Sequence, residues 1–493
     1  MNELLLPWLE LSILLPLIGA ALVSRIRDME QARRWAVAFT GAALVCTLAA
    51  WLDFLRLHTS SAHDHWDFIS PLFGREILAI DHLSAPLAPL AALLYLLTTI
   101  ATLRSKLRRF SFTWALISES LLLAALSCRE PWAVITLLSL STVPMFLELR
   151  IRKKPTRVFV VHMGLFILLM VVGWALIERE GRNVPHSLLP QLLLMGAVLI
   201  RSGMVPVHCW VTDLFEHSTF GRAILFVTPM MGAYAAVRLL LPIASDEVLH
   251  WLGLIAIVTA VYSSGMALVQ REARRFFCYI FLSHSALVLV GLDTLTTLGL
   301  TGALCVWLSI ALAIAGFGLT LRALESRHGR LSLLSFHGVY EHTPGLAICF
   351  LLTGMASVGF PGTFGFLGME MLLDEAVQAF PYIGVVIVGA TALNGIAIMM
   401  VYFRLFTGTR LFSSVPLGIG GREQLAVLTL AVLILSGGLY PQPAVESRYQ
   451  AAGELLRERY KSEYLSHNQE ATPQRRRTAE LQGDRTNERM QVR

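Results

Sequence analysis

Charge is what this sequence has least of. Only 15% of its 493 residues are Asp, Glu, Lys or Arg, where a soluble domain carries about 25%. Hydrophobic residues make up 55% of the chain and the mean hydropathy is +0.63. Apolar runs of about 20 residues recur from end to end, which excludes a water-soluble domain and predicts a polytopic membrane protein. Cysteine is also sparse. The six cysteines (Cys46, Cys128, Cys209, Cys278, Cys305, Cys349) are scattered through or beside the apolar runs. No CxxC or Cys/His pair has ligand spacing, so no disulfide framework, zinc site or iron–sulfur site is predicted. Phosphate-binding loops and dinucleotide fingerprints are missing too. No cofactor and no metal is expected, and nothing in the chain points to nucleic acid.

What is there is a series of about fourteen apolar spans, near 3–23, 35–54, 83–103, 110–127, 131–149, 158–177, 187–207, 220–242, 248–269, 276–293, 297–320, 344–361, 380–408 and 424–441. Runs of this length in lipid mean helices, because only a helix or a closed barrel pairs its own backbone. The first run, "LLLPWLELSILLPLIGAALV", has no basic leader and no small-residue cleavage site, so it reads as a true span. Basic loops at 25–34, 104–109, 150–157 and 270–275 alternate with loops at 56–80, 178–186 and 243–247 that are poor in net positive charge. The positive-inside rule then puts both termini outside the cytoplasm. Beyond about Glu446 the chain is polar and basic, and its second half (466–493) has the composition of a disordered tail.

Two spans are interrupted, at "RSGMVPVHCW" and at "ASVGFPGTFGFLG" (356–368). One Gly/Pro break in each half suggests internal repeats with discontinuous helices facing a translocation site. Ordinary proline kinks are the alternative.

The motifs then carry a family resemblance. "MVPVHCWVTD", "QREARRFFCYIFLSHSALVLVGL" (with Gln270, Arg274, Arg275, Tyr279, Ser283 and His284 in register), "VGFPGTFGFLGMEML", "LAIDHLSAPL" and "GLYPQPAVE" resemble segments of the antiporter-like membrane subunits of respiratory complex I. Such subunits also occur in Mrp antiporters and membrane-bound hydrogenases, and the final motif is most similar to the M-type subunit of NADH-quinone oxidoreductase. The resemblance covers nearly all of the chain, to about residue 447. It implies an all-α polytopic membrane protein of about fourteen transmembrane helices, with two inverted five-helix repeats that each contain a broken helix. The implied segments are helices 1–3 over 1–109, a first repeat over 110–242 and a second over 243–410. A final helix over 411–445 and a polar, basic, partly disordered tail over 446–493 complete the chain. The implied role is a proton-translocating type of subunit, without redox chemistry of its own, in the inner membrane of a bacterium. Its partners would be other membrane subunits, the lipid bilayer, and protons or monovalent cations. A Mrp-type antiporter component, a membrane subunit of an inorganic-carbon uptake or hydrogenase-related complex, and a non-conducting structural subunit remain open as alternatives.

Carried over residue by residue, the channel residues of the family are mostly altered. The motif lysine becomes Arg201, which holds its charge at any physiological pH. The fifth-helix glutamate falls on Ser139, the eighth-helix lysine on Met230 and a later histidine on Ile310. Glu148, nine residues on, is expected to face the other way. Arg201 is a functional cation or one half of a structural pair, and Glu119 is its natural partner within the apolar run around it. His208 and Asp213 could join a gate or cap a broken helix. His284 reads either as a polar relay or as a helix–helix hydrogen bond. Glu370 sits one residue out of the family register, a rotation of about 100°; Asp374 and Glu375 could simply mark an interfacial end. Arg222 and Arg238, near span ends, are expected to snorkel.

Overall fold

The computed structural model describes residues 3–65, 77–103, 107, 110–181, 186–408 and 420–460. Helices dominate it. α1 (Trp8–Val23), α2 (Met29–Leu57), α3 (Ser84–Ile100) and α4 (Phe112–Leu126) come first, then the short pair α5 (Pro131–Leu140) and α6 (Val143–Ile151). α7 (Arg157–Glu180) and α8 (Leu188–Ser202) follow, then α9 (Cys209–His217), α10 (Phe220–Val227) and α11 (Met231–Ala235), the last running into a π-turn at Ala236–Leu240. The second half holds α12 (Asp246–Leu268), α13 (Ala273–Val290), α14 (Thr297–His328), α15 (Pro344–Ser357), α16 (Phe364–Ala379), α17 (Pro381–Phe406) and α18 (Gly421–Leu439). Residues 442–460 form one further helix, α19.

Local chemistry sets many of these boundaries. Asp28 accepts from the N–H groups of Glu30 and Gln31 to cap α2, Ser245 caps α12, Thr296 caps α14, and Pro131 takes a first-turn position where no N–H is needed. Among the described residues, nine helices are long and apolar enough to cross a membrane, and five shorter apolar helices accompany them.

Burial sorts the spans. In the apolar windows of α13 and α14, 89% and 94% of residues are buried, against 33% in α2, α7 and α18. The first pair is the protein core; the others turn most of their surface to lipid. At 32 residues, α14 is about 48 Å long, longer than the roughly 30 Å hydrocarbon layer. It packs closely on α16 through two glycines. A Cβ on Gly302 would lie 2.7 Å from the Leu372 nitrogen, and one on Gly368 would lie 2.8 Å from the Cys305 Cβ. Without a hydrophobic drive between helices in lipid, such close backbone contact is what holds them together.

The spans depart from a simple series of continuous helices. Four are interrupted, where the composition marks only two. The expected breaks appear at Gly203–His208 and at Val358–Thr363, but further ones occur at Ser141–Thr142 and at Thr228–Met230. Met230 itself adopts φ +50°, a conformation without glycine at that position to make it easy. The region 361–408 resolves into two helices, α16 and α17. The first span starts at Trp8, because residues 3–4 form a strand, β1 (Glu3–Leu4), parallel to β2 (Ser61–Asp64), which pairs antiparallel with β3 (Ile80–Asp81). The Asp64 carboxylate then accepts from the N–H groups of Leu9 and Glu10 and starts α1 from a distance.

The segment after Glu446 is also more ordered than its composition suggests. It continues as α19 to Tyr460, and its arginines reach inward: Arg448 donates to the carbonyls of Leu83 and His82. Arg459 donates to the carbonyls of Leu241 and Ala244, each at 2.7 Å, and pairs with Asp246 at 2.5 Å. The disordered stretch expected at 466–493 lies outside the described residues.

Two outcomes follow for stability. Gly302→Val forces a side chain into the α14–α16 backbone contact, an overpacking cost of about 1–3 kcal/mol or more; the thermal midpoint of the detergent-solubilised protein should fall accordingly. Glu454 on α19 stands 3.5 Å from His82. Burial first, then the nearby Asp81 carboxylate, pushes its pKa up to about 7. A carboxyl group raised in the folded state binds more protons than in the unfolded chain. Its contribution is therefore fully present below about 4.5, the unfolded value, and is lost as pH rises through about 7. Protection of α19 from proteolysis should weaken from pH 5 to pH 8, and Glu454→Gln should flatten that profile.

Candidate functional site

The break after α8 is built so that its freed backbone groups find partners. Gly203 turns the chain with φ +69°, and a Cβ there would sit 2.7 Å from a Val211 methyl. The Ile200 carbonyl, left over by the helix end, accepts from the Trp210 indole at 2.8 Å. The Val205 N–H donates to the Thr259 hydroxyl at 3.1 Å. "VHCW" thus supplies the tryptophan that closes the helix end from within the same motif.

Arg201 lies in the last turn of α8 and is buried. Among the described residues it has no carboxylate within ion-pair distance; its guanidinium instead sits 4.3 Å from the Phe226 ring centroid and 5.8 Å from that of Trp210. The pairing with Glu119 expected from the sequence is not formed. Glu119 is fully buried in α4, and neither of its carboxylate oxygens has a hydrogen-bond partner among the described residues. A cavity of about 20 Å³ beside Arg201, lined by Ser202, Met230 and Ser285 among others, is large enough for one water. Met230 therefore faces the cation, with a thioether where the family resemblance implies a lysine. Ser139 returns its hydroxyl to the carbonyl of Ile135 at 2.7 Å, and Ile310 is buried in the α14 core.

The arginines expected to snorkel do not. Arg222 is buried and donates from Nε to Glu148 at 2.8 Å and from Nη2 to the Ser118 hydroxyl at 3.1 Å. Glu148 also accepts from the Thr219 hydroxyl at 2.8 Å and lies 3.7 Å from Arg152. The break at Ser141–Thr142 separates α5 from α6, so the expectation that Glu148 would face away, drawn for one continuous helix, does not apply. Arg238 makes a two-pronged pair with Asp81, at 2.5 and 2.9 Å, and its Nε donates to the Tyr234 hydroxyl. Although burial alone would raise it, Arg238 and then Arg129 hold the Asp81 carboxyl well below the usual range.

The remaining candidates divide. His208 precedes α9 at its N-cap position, but its side chain makes no cap bond; its ring packs edge-on against Tyr262 and near Tyr279. Asp213 lies inside α9 and pairs with His217 at 3.1 Å, so it is no cap either. His284 donates to its own helix, to the Ile280 carbonyl at 2.6 Å. The interhelical bond belongs to its neighbour: Ser283 donates to the Ala260 carbonyl and accepts from Asn394 on α17 at 2.8 Å. Glu370 is exposed on α16 and joins none of these groups. Arg274 pairs with Glu325 at 2.7 and 2.5 Å and donates to the carbonyls of Phe215 and Ser218, closing the end of α9. Sequence reasoning missed the Glu148–Arg222 and Asp81–Arg238 pairs and the polar Asn394. Asp81 lay in plain view inside "LAIDHLSAPL", whereas nothing local marks Asn394. Among the described residues no three His, Cys, Asp or Glu side chains gather as a metal-holding group.

A helical membrane bundle with broken spans and paired internal charges defines a transporter-like integral membrane protein. Comparison with known proteins names the group. The model of the NADH:quinone oxidoreductase/Mrp antiporter transmembrane family matches residues 157–394 of the chain. Over 90% of its length the chain is 24% identical to NADH-quinone oxidoreductase subunit M of Pseudomonas aeruginosa, covering 96% of that protein. Its fold is similar to a chain of the Mrp complex from Dietzia sp. DQ12-45-1b (TM-score 0.79, 17% identity, 93% of this chain and 99% of that one). It is equally similar to a chain of respiratory complex I from Thermus thermophilus (TM-score 0.79, 21% identity, 92% and 99%). The resemblance read from the motifs is borne out.

The Glu148–Arg222 pair gives a direct test. Arg222→Met strands a buried carboxylate and should destabilise the protein by about 3–5 kcal/mol, whereas Glu148→Gln combined with Arg222→Met should recover most of that loss. Thermal midpoints of the two singles and the double would show the coupling.

Proposed function

We propose that this chain is the antiporter-like membrane subunit of a complex I-type or related multi-subunit ion-coupled assembly, and that the family's carboxylate–lysine relay is not its ion route. The proposed architecture is fourteen spans in two inverted repeats, with both termini on the non-cytoplasmic face. Nine long and five shorter apolar helices support the count, and the breaks after α8 and α15 fall one in each proposed repeat. The basic loops at 25–34, 150–157 and 270–275 lie toward one end of the bundle, where Arg33 donates to the Thr102 carbonyl and Arg322 to that of Thr98. β1 and α19 lie at the other end of α2, against β2 and His82, which supports the orientation.

One observation carries the mechanistic part. Arg201, in the place of the titrating lysine, rests on aromatic rings without a carboxylate partner. All four lysines of the chain, Lys106, Lys153, Lys154 and Lys461, stand outside the apolar spans. An arginine does not release its proton in this range, so no lysine or arginine in the described spans is suited to hand one on. The similarity to subunit M of NADH-quinone oxidoreductases favours a place among other membrane subunits, with redox chemistry left to partners. A titrating group on a proton route is worth about 10²-fold or more. In the reconstituted assembly, Arg201→Ala should leave proton flux within about threefold of wild type. A loss near the larger figure, with assembly intact by size-exclusion chromatography, would overturn the reading.

A further inference from the structure

A second cavity has no part in the site around Arg201. It measures about 280 Å³ and opens among the end of α3, the loop after α6, the start of α10 and the last turns of α14, at the end of the bundle where the basic loops gather. We propose that it binds a phosphate oxyanion, either free or as the headgroup of an anionic lipid. This goes beyond the subunit role and holds whether or not the subunit conducts ions.

The charge of the cavity wall points to an anion. Its carboxylates are each matched to an arginine: Glu325 to Arg274, Glu423 to Arg327 and Glu216 to Arg275. Arg322 and Lys154 also line the cavity, and neither has a carboxylate within ion-pair distance among the described residues. Arg322 is held in place by donating to the Thr98 carbonyl at 3.0 Å and the Thr102 hydroxyl at 2.8 Å, with its guanidinium 5.3 Å from the Phe110 ring centroid. A guanidinium has five donors, so most of them remain for a ligand, and their forked geometry suits phosphate oxygens.

The backbone adds donors at the same place. Thr219 precedes α10 but commits its hydroxyl and its N–H to Glu148. The N–H groups of Phe220 and Gly221, both lining the cavity, have no acceptor among the described residues. They sit at the positive end of the helix, which favours an oxyanion. Gly221 also lets Arg322 approach: a Cβ at that position would lie 2.8 Å from the guanidinium carbon. A fixed guanidinium, an exposed lysine and two backbone donors therefore line one open cavity. A hydrated cation would meet only carboxylates already neutralised. Basic pockets between spans on the cytoplasmic side are the usual seat of anionic headgroups, and the cavity also has room for inorganic phosphate with water.

The test uses the full chain in phosphatidylcholine nanodiscs. One arm titrates inorganic phosphate by calorimetry; the other replaces part of the lipid with phosphatidylglycerol and follows retained lipid by native mass spectrometry. Saturable binding in the first arm identifies free phosphate, and in the second a lipid headgroup; either supports the site. Lys154→Gln, an exposed change, should weaken that binding about tenfold, as should Arg322→Gln where its melting midpoint shows it folded. Absence of saturable binding in both arms, or unchanged affinity in folded Lys154→Gln, would overturn the proposal.

Discussion

A polar group at membrane depth has no bulk water to turn to, and most of this structure follows from that one constraint. The break after α8 persists because Trp210 and Thr259 take up the backbone groups it releases. Arg222 and Arg238 can sit inside the bundle because Glu148 and Asp81 meet them with well-formed pairs. The same need explains why Arg274 spans from Glu325 to the end of α9: one side chain satisfies a carboxylate and two carbonyls together. Removing any one of these partners leaves the other stranded, which costs far more than the pair itself contributes.

The kind of cation matters as much as its pairing. Of 40 basic residues only four are lysines, and none of those falls in an apolar span. Arginine suits fixed pairing, since its planar fork holds two acceptors and its charge does not come and go. A bundle furnished this way is well adapted to holding helices in register and poorly adapted to passing protons between side chains. Met230 beside Arg201 and Ser139 bonded to its own helix point in the same direction. Fixed, paired charge of this kind fits the proposed place among other membrane subunits.

Much of the fold was legible because it rests on long-period signals. Apolar runs, alternating basic loops and Gly/Pro breaks all survive averaging over neighbours, and the family motifs fixed the register between them. What escaped depends on contacts between distant segments. The breaks at Ser141–Thr142 and Thr228–Met230 carry only single prolines, Pro144 and Pro229, with no glycine beside them, so they read as ordinary kinks, and the first of them turned Glu148 from an outward residue into an inward one. Glu119 and Arg201 illustrate the opposite error. Both are buried and of opposite sign, which makes pairing the natural guess, yet Arg222 approaches α4 at Ser118. Ser118 is one residue and about 100° away from Glu119. The helix α19 escaped because the tail's polarity was averaged, whereas Arg448 and Arg459 act singly, on carbonyls at His82 and Leu83 and at Leu241 and Ala244.

The two ends of the bundle have different electrostatic characters, and that asymmetry links the parts. At the end bearing β1 and α19, Asp81 gathers Arg238 and Arg129, and α19 adds Glu454 and Glu458 to the same cluster. Opposite charges there close on one another and tie α19 to the bundle. At the end bearing the basic loops, the carboxylates are already matched, and Arg322 and Lys154 remain over, facing open space. One end is thus electrostatically complete and the other is not. The incomplete end bears the cavity proposed for an anion, while Arg201 rests on the rings of Phe226 and Trp210.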